Sequence, residues 1–280
     1  KTYEMTNILE KIIAKKNNSI KKYKDIYSIK DMKNKISSCV NYMDFKNKLI
    51  QKKVSVIAEI KKASPSAGII IENYDPKSIA KQYLNAGADC LSILTEEKYF
   101  QGKFEHIEQV KKETKLPILC KDFFIDPFQV YLAKSFSADA ILIILSAIDG
   151  TRAKDIYNLA NELNITTIVE VHNKEEAEYA LNFKKAIIGI NNRNLKTLKT
   201  DIAITYDLHK ILINHSEPIV CESGIKTEKE VEEIVKKTKI NNFLIGESLL
   251  KDLDKNSSLL KLKFCLFFNF FKISSILFII

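Results

Sequence analysis

Glu59 and Lys61 follow the apolar run Val54, Val56, Ile57 and Ala58 at spacing i, i+2. On a strand, that spacing sends an acid and a base to the same side. Ser64, Pro65, Ser66 and Gly68 then break the pattern as a loop. Lys121 follows Ile118-Leu119-Cys120, Glu170 interrupts Thr167–Val171, and Glu222 follows Ile219-Val220-Cys221. A charge set into an apolar run is costly unless it is paired, and convergence on one mouth would let these groups pair. Acid–base chemistry is what such a set could do, although each residue alone more often forms a structural ion pair. Asn191 and Arg193 close a further run. Cys221 is read as a buried, inert thiol, and His172 as a structural residue on the strand face opposite Glu170.

Short apolar runs recur at 54–60, 90–94, 118–121, 140–145, 167–171, 186–190, 219–221 and 243–245. Amphipathic stretches predict helices between them, at 75–86, 104–114, 127–135, 152–163, 174–181, 202–213 and 228–237, with Pro76 at a helix start. Eight β/α units imply a closed parallel (β/α)8 barrel with catalytic residues at the C-terminal strand ends. An open doubly wound sheet is the weaker alternative, since no G-x-G-x-x-G turn follows the first strand. Ser223-Gly224 and Gly246-Glu247-Ser248 are glycine turns after the seventh and eighth runs. Barrels often hold phosphate there on backbone N–H groups and a helix N-terminus.

Apolar stripes at Ile8, Leu9, Ile12 and Ile13, and at Tyr42, Phe45 and Leu49, predict helices over residues 1 to 50 that pack on the barrel. The expected division is 1–50 as this helical extension, 51–255 as the catalytic barrel and 256–280 as an apolar tail. Of 280 residues, 46% are hydrophobic, and 44 Lys and Arg against 35 Asp and Glu give a net charge of +9. The lysines are dispersed, so an anionic small molecule is expected and nucleic acid is not. Five cysteines without a C-x-x-C pair predict buried thiols in a reducing compartment. The four histidines lack metal-ligand spacing, and no metal is expected. No signal-peptide h-region is evident at the N-terminus, and a cytoplasmic location is expected. Phe264–Ile280 is almost wholly apolar, interrupted by Asn269 and Lys272. Three readings are weighed for it: an aggregation-prone appendage, a tail packed on the barrel or a partner, and a membrane anchor. The anchor is disfavoured because a spanning helix wants about 20 uninterrupted apolar residues.

Longer motifs carry a family resemblance: V-I-A-E-I-K-K-A-S-P-S (Val56–Ser66), Y-F-Q-G (Tyr99–Gly102), L-P-I-L-C-K-D-F (Leu116–Phe123), I-D-P-F-Q (Ile125–Gln129), V-E-V-H (Val169–His172), I-G-I-N-N-R-N-L (Ile188–Leu195), C-E-S-G-I (Cys221–Ile225) and I-G-E-S-L (Ile245–Leu249). The chain resembles indole-3-glycerol phosphate synthase, a barrel enzyme of tryptophan biosynthesis. The resemblance implies a phosphosugar substrate, 1-(2-carboxyphenylamino)-1-deoxyribulose 5-phosphate, which loses carbon dioxide and water as an indole ring closes. No cofactor and a monomer are expected. By resemblance Lys121 is the general acid of ring closure, and partial desolvation is expected to lower its pKa toward working pH. Lys61 holds the substrate carboxylate and donates a proton in dehydration, and Glu170 is the base. Glu59 and Asn191 orient the lysines and sugar hydroxyls, Arg193 and Glu222 complete the polar cage, and Ser223 touches the anthranilate part. Ser64, Gly224, Gly246, Glu247 and Ser248 hold the phosphate. Two alternatives remain open at this point. One is another phosphosugar barrel such as phosphoribosylanthranilate isomerase, and the other is an inactive membrane-tethered scaffold.

Overall fold

In a computed structural model of the chain, residues 8–39, 42–51 and 54–250 are described. Eight parallel strands close into a barrel in sequence order: β1 Ser55–Ile60, β2 Cys90–Leu94, β3 Ile118–Lys121, β4 Ala140–Ile144, β5 Thr166–Val171, β6 Ile187–Asn191, β7 Ile219–Glu222 and β8 Asn242–Ile245. A two-stranded hairpin, Ala63–Ser64 with Gly68–Ile69, follows β1. The strands are apolar on both faces because both are covered. Ile57, Cys90, Leu119, Leu142, Ile168, Ile187, Val220 and Leu244 share the cluster inside the barrel. Their neighbours Val56, Leu91, Ile118, Ile141, Val169, Ile188, Cys221 and Phe243 join the cluster beneath the outer helices. Period-two alternation thus separates two cores that a single apolar run serves at once.

The outer helices are α4 Pro76–Asn85, α5 Glu105–Lys111, α6 Phe128–Ser135, α7 Gly150–Glu162, α8 Lys174–Ala180, α9 Ala203–Leu212 and α10 Glu228–Thr238. Their starts are written locally. Asp75, Asp149 and Asn173 accept from the backbone N–H groups of Lys77, Arg152 and Glu176, and Thr227 with Glu230 forms a capping box. The turns entering β2 and β4 end alike in aspartates with one task. Asp89 accepts from the Val56 N–H at 2.9 Å, and Asp139 from the Ile118 N–H at 2.7 Å. Each satisfies a backbone donor at the start of the preceding strand.

Three helices precede the barrel: α1 Ile8–Ile26, α2 Ile29–Ser38 and α3 Phe45–Ile50. Helix α3 caps the N-terminal end, where the Ser55 hydroxyl donates to the Leu49 carbonyl and Phe45 and Leu49 join the interior cluster. Helix α1 lies at the opposite end. Lys16 pairs with Asp122 at 2.7 Å, Tyr23 and Ser19 donate to Glu97, and Lys24 pairs with Asp126 at 2.7 Å. These acceptors follow β2 and β3, so α1 straps the C-terminal mouth. The expectation for residues 256–280 falls outside the described residues. Among the described residues, no helix is long and apolar enough to cross a membrane.

Candidate active site

The mouth holds a cavity of about 500 Å³. Its floor follows from barrel geometry. Glu59 lies on β1, Lys121 on β3, Glu170 on β5 and Glu222 on β7. In a (β/α)8 barrel, alternate strands contribute the four inward side chains of one layer, so these residues form a single charged tier above the apolar ones. The Lys121 Nζ is 2.8 Å from Glu222 Oε2, 3.7 Å from Glu170 Oε2 and 4.0 Å from Glu59 Oε2. Lys61, just past β1, pairs with Glu59 Oε1. Asn191 donates to Glu170 Oε1 at 3.1 Å, and its own side-chain oxygen accepts the Arg193 backbone N–H at 3.0 Å. The Arg193 guanidinium is aimed by a 3.0 Å bond to the Leu198 carbonyl.

Two glycines make room for this tier. A Cβ on Gly246 would collide with Glu59 Oε1, and one on Gly189 with Glu222 Oε1. Gly246, read from the sequence as a phosphate turn, therefore also seats a carboxylate. The corresponding task of Gly189, inside the β6 run, was not read at all.

Of the residues singled out in the sequence, Glu59, Lys61, Lys121, Glu170, Asn191, Arg193, Ser223, Gly224, Gly246, Glu247 and Ser248 line the cavity. Glu222 lies beneath the wall, fully buried, and reaches the site through Lys121. Ser64 stands off the wall. Its hydroxyl is 3.3 Å from that of Ser66 and accepts the Ala67 N–H at 3.2 Å, which folds the hairpin. The two glycine turns do meet. Ser223 and Gly224 adopt left-handed φ values of 65° and 84°, and the Ser248 hydroxyl donates to the Ile225 carbonyl at 3.1 Å. The short helix α11, Glu247–Leu250, begins there. Sequence reasoning missed Lys226, a cation beside these turns, and the apolar wall of Leu94, Phe100, Phe123, Leu142, Ile144 and Leu195. Lys226 was legible as the residue ending the run from Cys221. The wall was not, because its members look like ordinary core until the barrel closes.

The charge balance revises one expectation. Burial alone would lower the Lys121 pKa, but Glu222, Glu170 and Glu59 outweigh it and raise it. The ammonium is held protonated rather than brought toward neutral pH, because it sits among three carboxylates that its own segment does not reveal. Burial pushes Glu222 up to about 7 against the pull of Lys121, with Glu170 and Glu59 adding repulsion. Its Oε1 is buried over Gly189 with no hydrogen-bond partner among the described residues. Burial would also raise Glu170, yet His172 and Lys121 hold it below the usual range. Glu59 is likewise lowered against its burial, by Lys61 and Lys121.

His172 is a second correction. It faces the same side as Glu170, with Nε2 3.0 Å from Glu170 Oε1. Residues i and i+2 at a strand end share a face, so the opposite-face reading misapplied the period. Cys221 points outward, its sulfur 3.3 Å from the Thr205 hydroxyl and from Asn192 Nδ2. Burial raises its pKa to about 11, as an inert thiol requires.

The comparisons agree with this geometry. A family model described as indole-3-glycerol phosphate synthase matches residues 9–262. An indole-3-glycerol phosphate synthase of Prochlorococcus marinus is 41% identical over 263 residues, covering 91% of this chain and 89% of the relative. One from Thermoanaerobacter pseudethanolicus is 40% identical over 258 residues, covering 91% and 97%. Among solved structures, 3-hexulose-6-phosphate synthase from Salmonella typhimurium superposes with a TM-score of 0.61 at 11% identity, covering 75% of this chain and 96% of that one. That likeness speaks for the barrel alone. The match along residues 9–262, together with relatives about 40% identical over nine-tenths of the chain, places this chain in the indole-3-glycerol phosphate synthase family.

Proposed function

We propose that the mouth of this barrel converts 1-(2-carboxyphenylamino)-1-deoxyribulose 5-phosphate into indole-3-glycerol phosphate, carbon dioxide and water. The observation that carries the residue roles is the Lys121 ammonium, held within 4.0 Å of three carboxylates at the cavity floor. Lys121 gives its proton to the ribulose carbonyl oxygen as the carboxylate-bearing ring carbon attacks the carbonyl carbon. A raised pKa keeps this acid loaded, and the carboxylates stabilise the ammonium without taking its place as donor. Carbon dioxide then leaves, and its bonding electrons restore the aromatic ring. Lys61 holds the substrate carboxylate beforehand and later protonates the departing hydroxyl. Glu170 takes the proton that the new five-membered ring gives up. Two protons are supplied and one is recovered, so each turnover consumes one.

The remaining residues bind and orient. Asn191 and Glu59 fix Glu170 and Lys61, and Arg193 and Glu222 complete the cage. The phosphate lies over the backbone of Gly224, Gly246, Glu247 and Ser248, with Lys226 beside it, as turns after β7 and β8 suit an anion. Ser223 and the apolar wall border the aromatic ring. Among the described residues no two cysteines form a disulfide, which suits the cytoplasm.

The test uses the absence of tryptophan, of which the chain has 0. Adding the substrate to purified protein should give a rising indole fluorescence, and Lys121→Met should abolish it while circular dichroism stays unchanged. A Lys121→Met variant turning over at the wild-type rate would remove Lys121 from the reaction.

A further inference from the structure

His172 has no part in the roles above, yet of the basic side chains paired with Glu170 it comes nearest to the base. Its Nε2 is 3.0 Å from Glu170 Oε1 and its Nδ1 3.1 Å from Glu176 Oε2, with the Ser146 hydroxyl 3.4 Å from Nδ1. Glu176, in the first turn of α8, is itself fixed. It accepts the His172 backbone N–H at 2.8 Å and the Asn173 side-chain amide at 2.7 Å. A ring hydrogen-bonded to one carboxylate at Nδ1 and in ion-pair contact with a second at Nε2, outside hydrogen-bond geometry, is suited to the imidazolium. On the other side, Glu170 Oε1 also meets the Asn191 amide at 3.1 Å, while Oε2 faces Lys121 at 3.7 Å.

We propose that His172 is a positioning residue for the base. Clamped between Glu176 and Glu170, it occupies Oε1 together with Asn191, so that Oε2 alone takes the substrate proton and Glu170 stays ionised. This rests on reading Glu170 as the base. The charged groups facing Glu170 are His172, Lys121 from β3 and, across Lys121, Glu222 from β7 and Glu59 from β1. Those facing His172 are Glu170 and Glu176. Its outer side borders a groove that Glu10 of α1 and Lys196 also line. Burial opposes a charged ring, but the two carboxylates raise the His172 pKa to about 10, so it stays cationic through neutral pH. Glu170 keeps an adjacent cation throughout the working range.

The sign of the effect is fixed. Without the imidazolium the Glu170 pKa rises, and the acid limb of the kcat profile moves to higher pH. In His172→Gln, which keeps a donor without the charge, we expect that limb to move up by about one unit, as for loss of a charge within hydrogen-bond range. We expect kcat to fall roughly tenfold, a fraction of what a positioned base contributes, with KM little changed. Glu176→Gln should shift the limb in the same direction by less, since it weakens the clamp from outside. A His172→Gln profile superimposable on the wild type, with kcat within about twofold, overturns the proposal. If His172→Gln fails to fold by circular dichroism, Glu176→Gln decides alone, and an unshifted limb overturns it equally. Glu170→Gln separates the two readings. If it turns over normally, the base assignment falls. If it is inactive while the His172→Gln limb is unmoved, only the clamp falls.

Discussion

Lys121, the proposed acid, is held protonated by its neighbours. A lysine sharing a buried tier with one carboxylate would form a plain ion pair; with three, it is held cationic against the cost of burial. Removing one of those carboxylates should therefore weaken its hold on the proton. Glu222, at 2.8 Å, is the largest single attraction. Glu222→Gln is expected to lower the Lys121 pKa and to move the alkaline limb of kcat down by about one unit, the effect of one close charge. The sign follows because the acid must be protonated to act, and a lower pKa leaves it unloaded at lower pH. A pH–rate profile of the variant measures this, and an alkaline limb shifted upward or unmoved would contradict it.

Helix α1 acts as an element on the strand end that carries Lys121. Lys16 is 2% exposed and reaches Asp122, the residue after Lys121, while the Thr95 hydroxyl takes the other Asp122 oxygen at 2.7 Å. Burial would lower the Lys16 pKa, but the Asp122 carboxylate overrides it and raises it. Breaking one side of a buried pair strands the other charge, at about 3 kcal/mol or more. Lys16→Met should lose about that much stability in urea denaturation. It should also lower kcat, because the strand end carrying Lys121 loses its brace. Loss of stability with unchanged kcat would confine α1 to structure. The motif around Lys16 gave only an amphipathic stripe, since the partner lies over a hundred residues away and nothing local identifies it.

The whole molecule carries a net charge of +9, while its mouth is lined by Lys61, Lys121, Arg193 and Lys226 together with Glu59, Asp122, Glu170 and Glu247, so the positive field comes from the molecule as a whole. The substrate brings a carboxylate and a phosphate. Such a field raises encounter rates and is screened by salt over a Debye length of about 8 Å at physiological ionic strength. We expect kcat/KM to fall several-fold as salt is raised from low to physiological levels, with kcat nearly constant. Steady-state kinetics in a salt series checks this, and a kcat falling in parallel would place the salt effect on the chemical step. At this scale the architecture was readable in advance. Strands buried on both faces need uninterrupted apolar runs, helices between them need one apolar face, and both patterns are local.

The sequence by itself determined the count and order of β/α units, the helix starts at Asp75, Asp149, Asn173 and Thr227, and the strand ends that bear charge. These depend on periodicity, capping and the cost of a charge in an apolar run, all confined to a few neighbouring residues. Only the tertiary structure decided which charges meet. Closure brings alternate strands into one tier, so Glu59, Lys121, Glu170 and Glu222 meet across up to 163 residues of chain. It seats two carboxylates over Gly189 and Gly246, turns His172 onto Glu170, and leaves Ser64 in its hairpin. It also reverses the direction of the Lys121 shift. Electrostatic energy depends on distance through space, and along this chain the nearest charges in space are among the farthest in sequence.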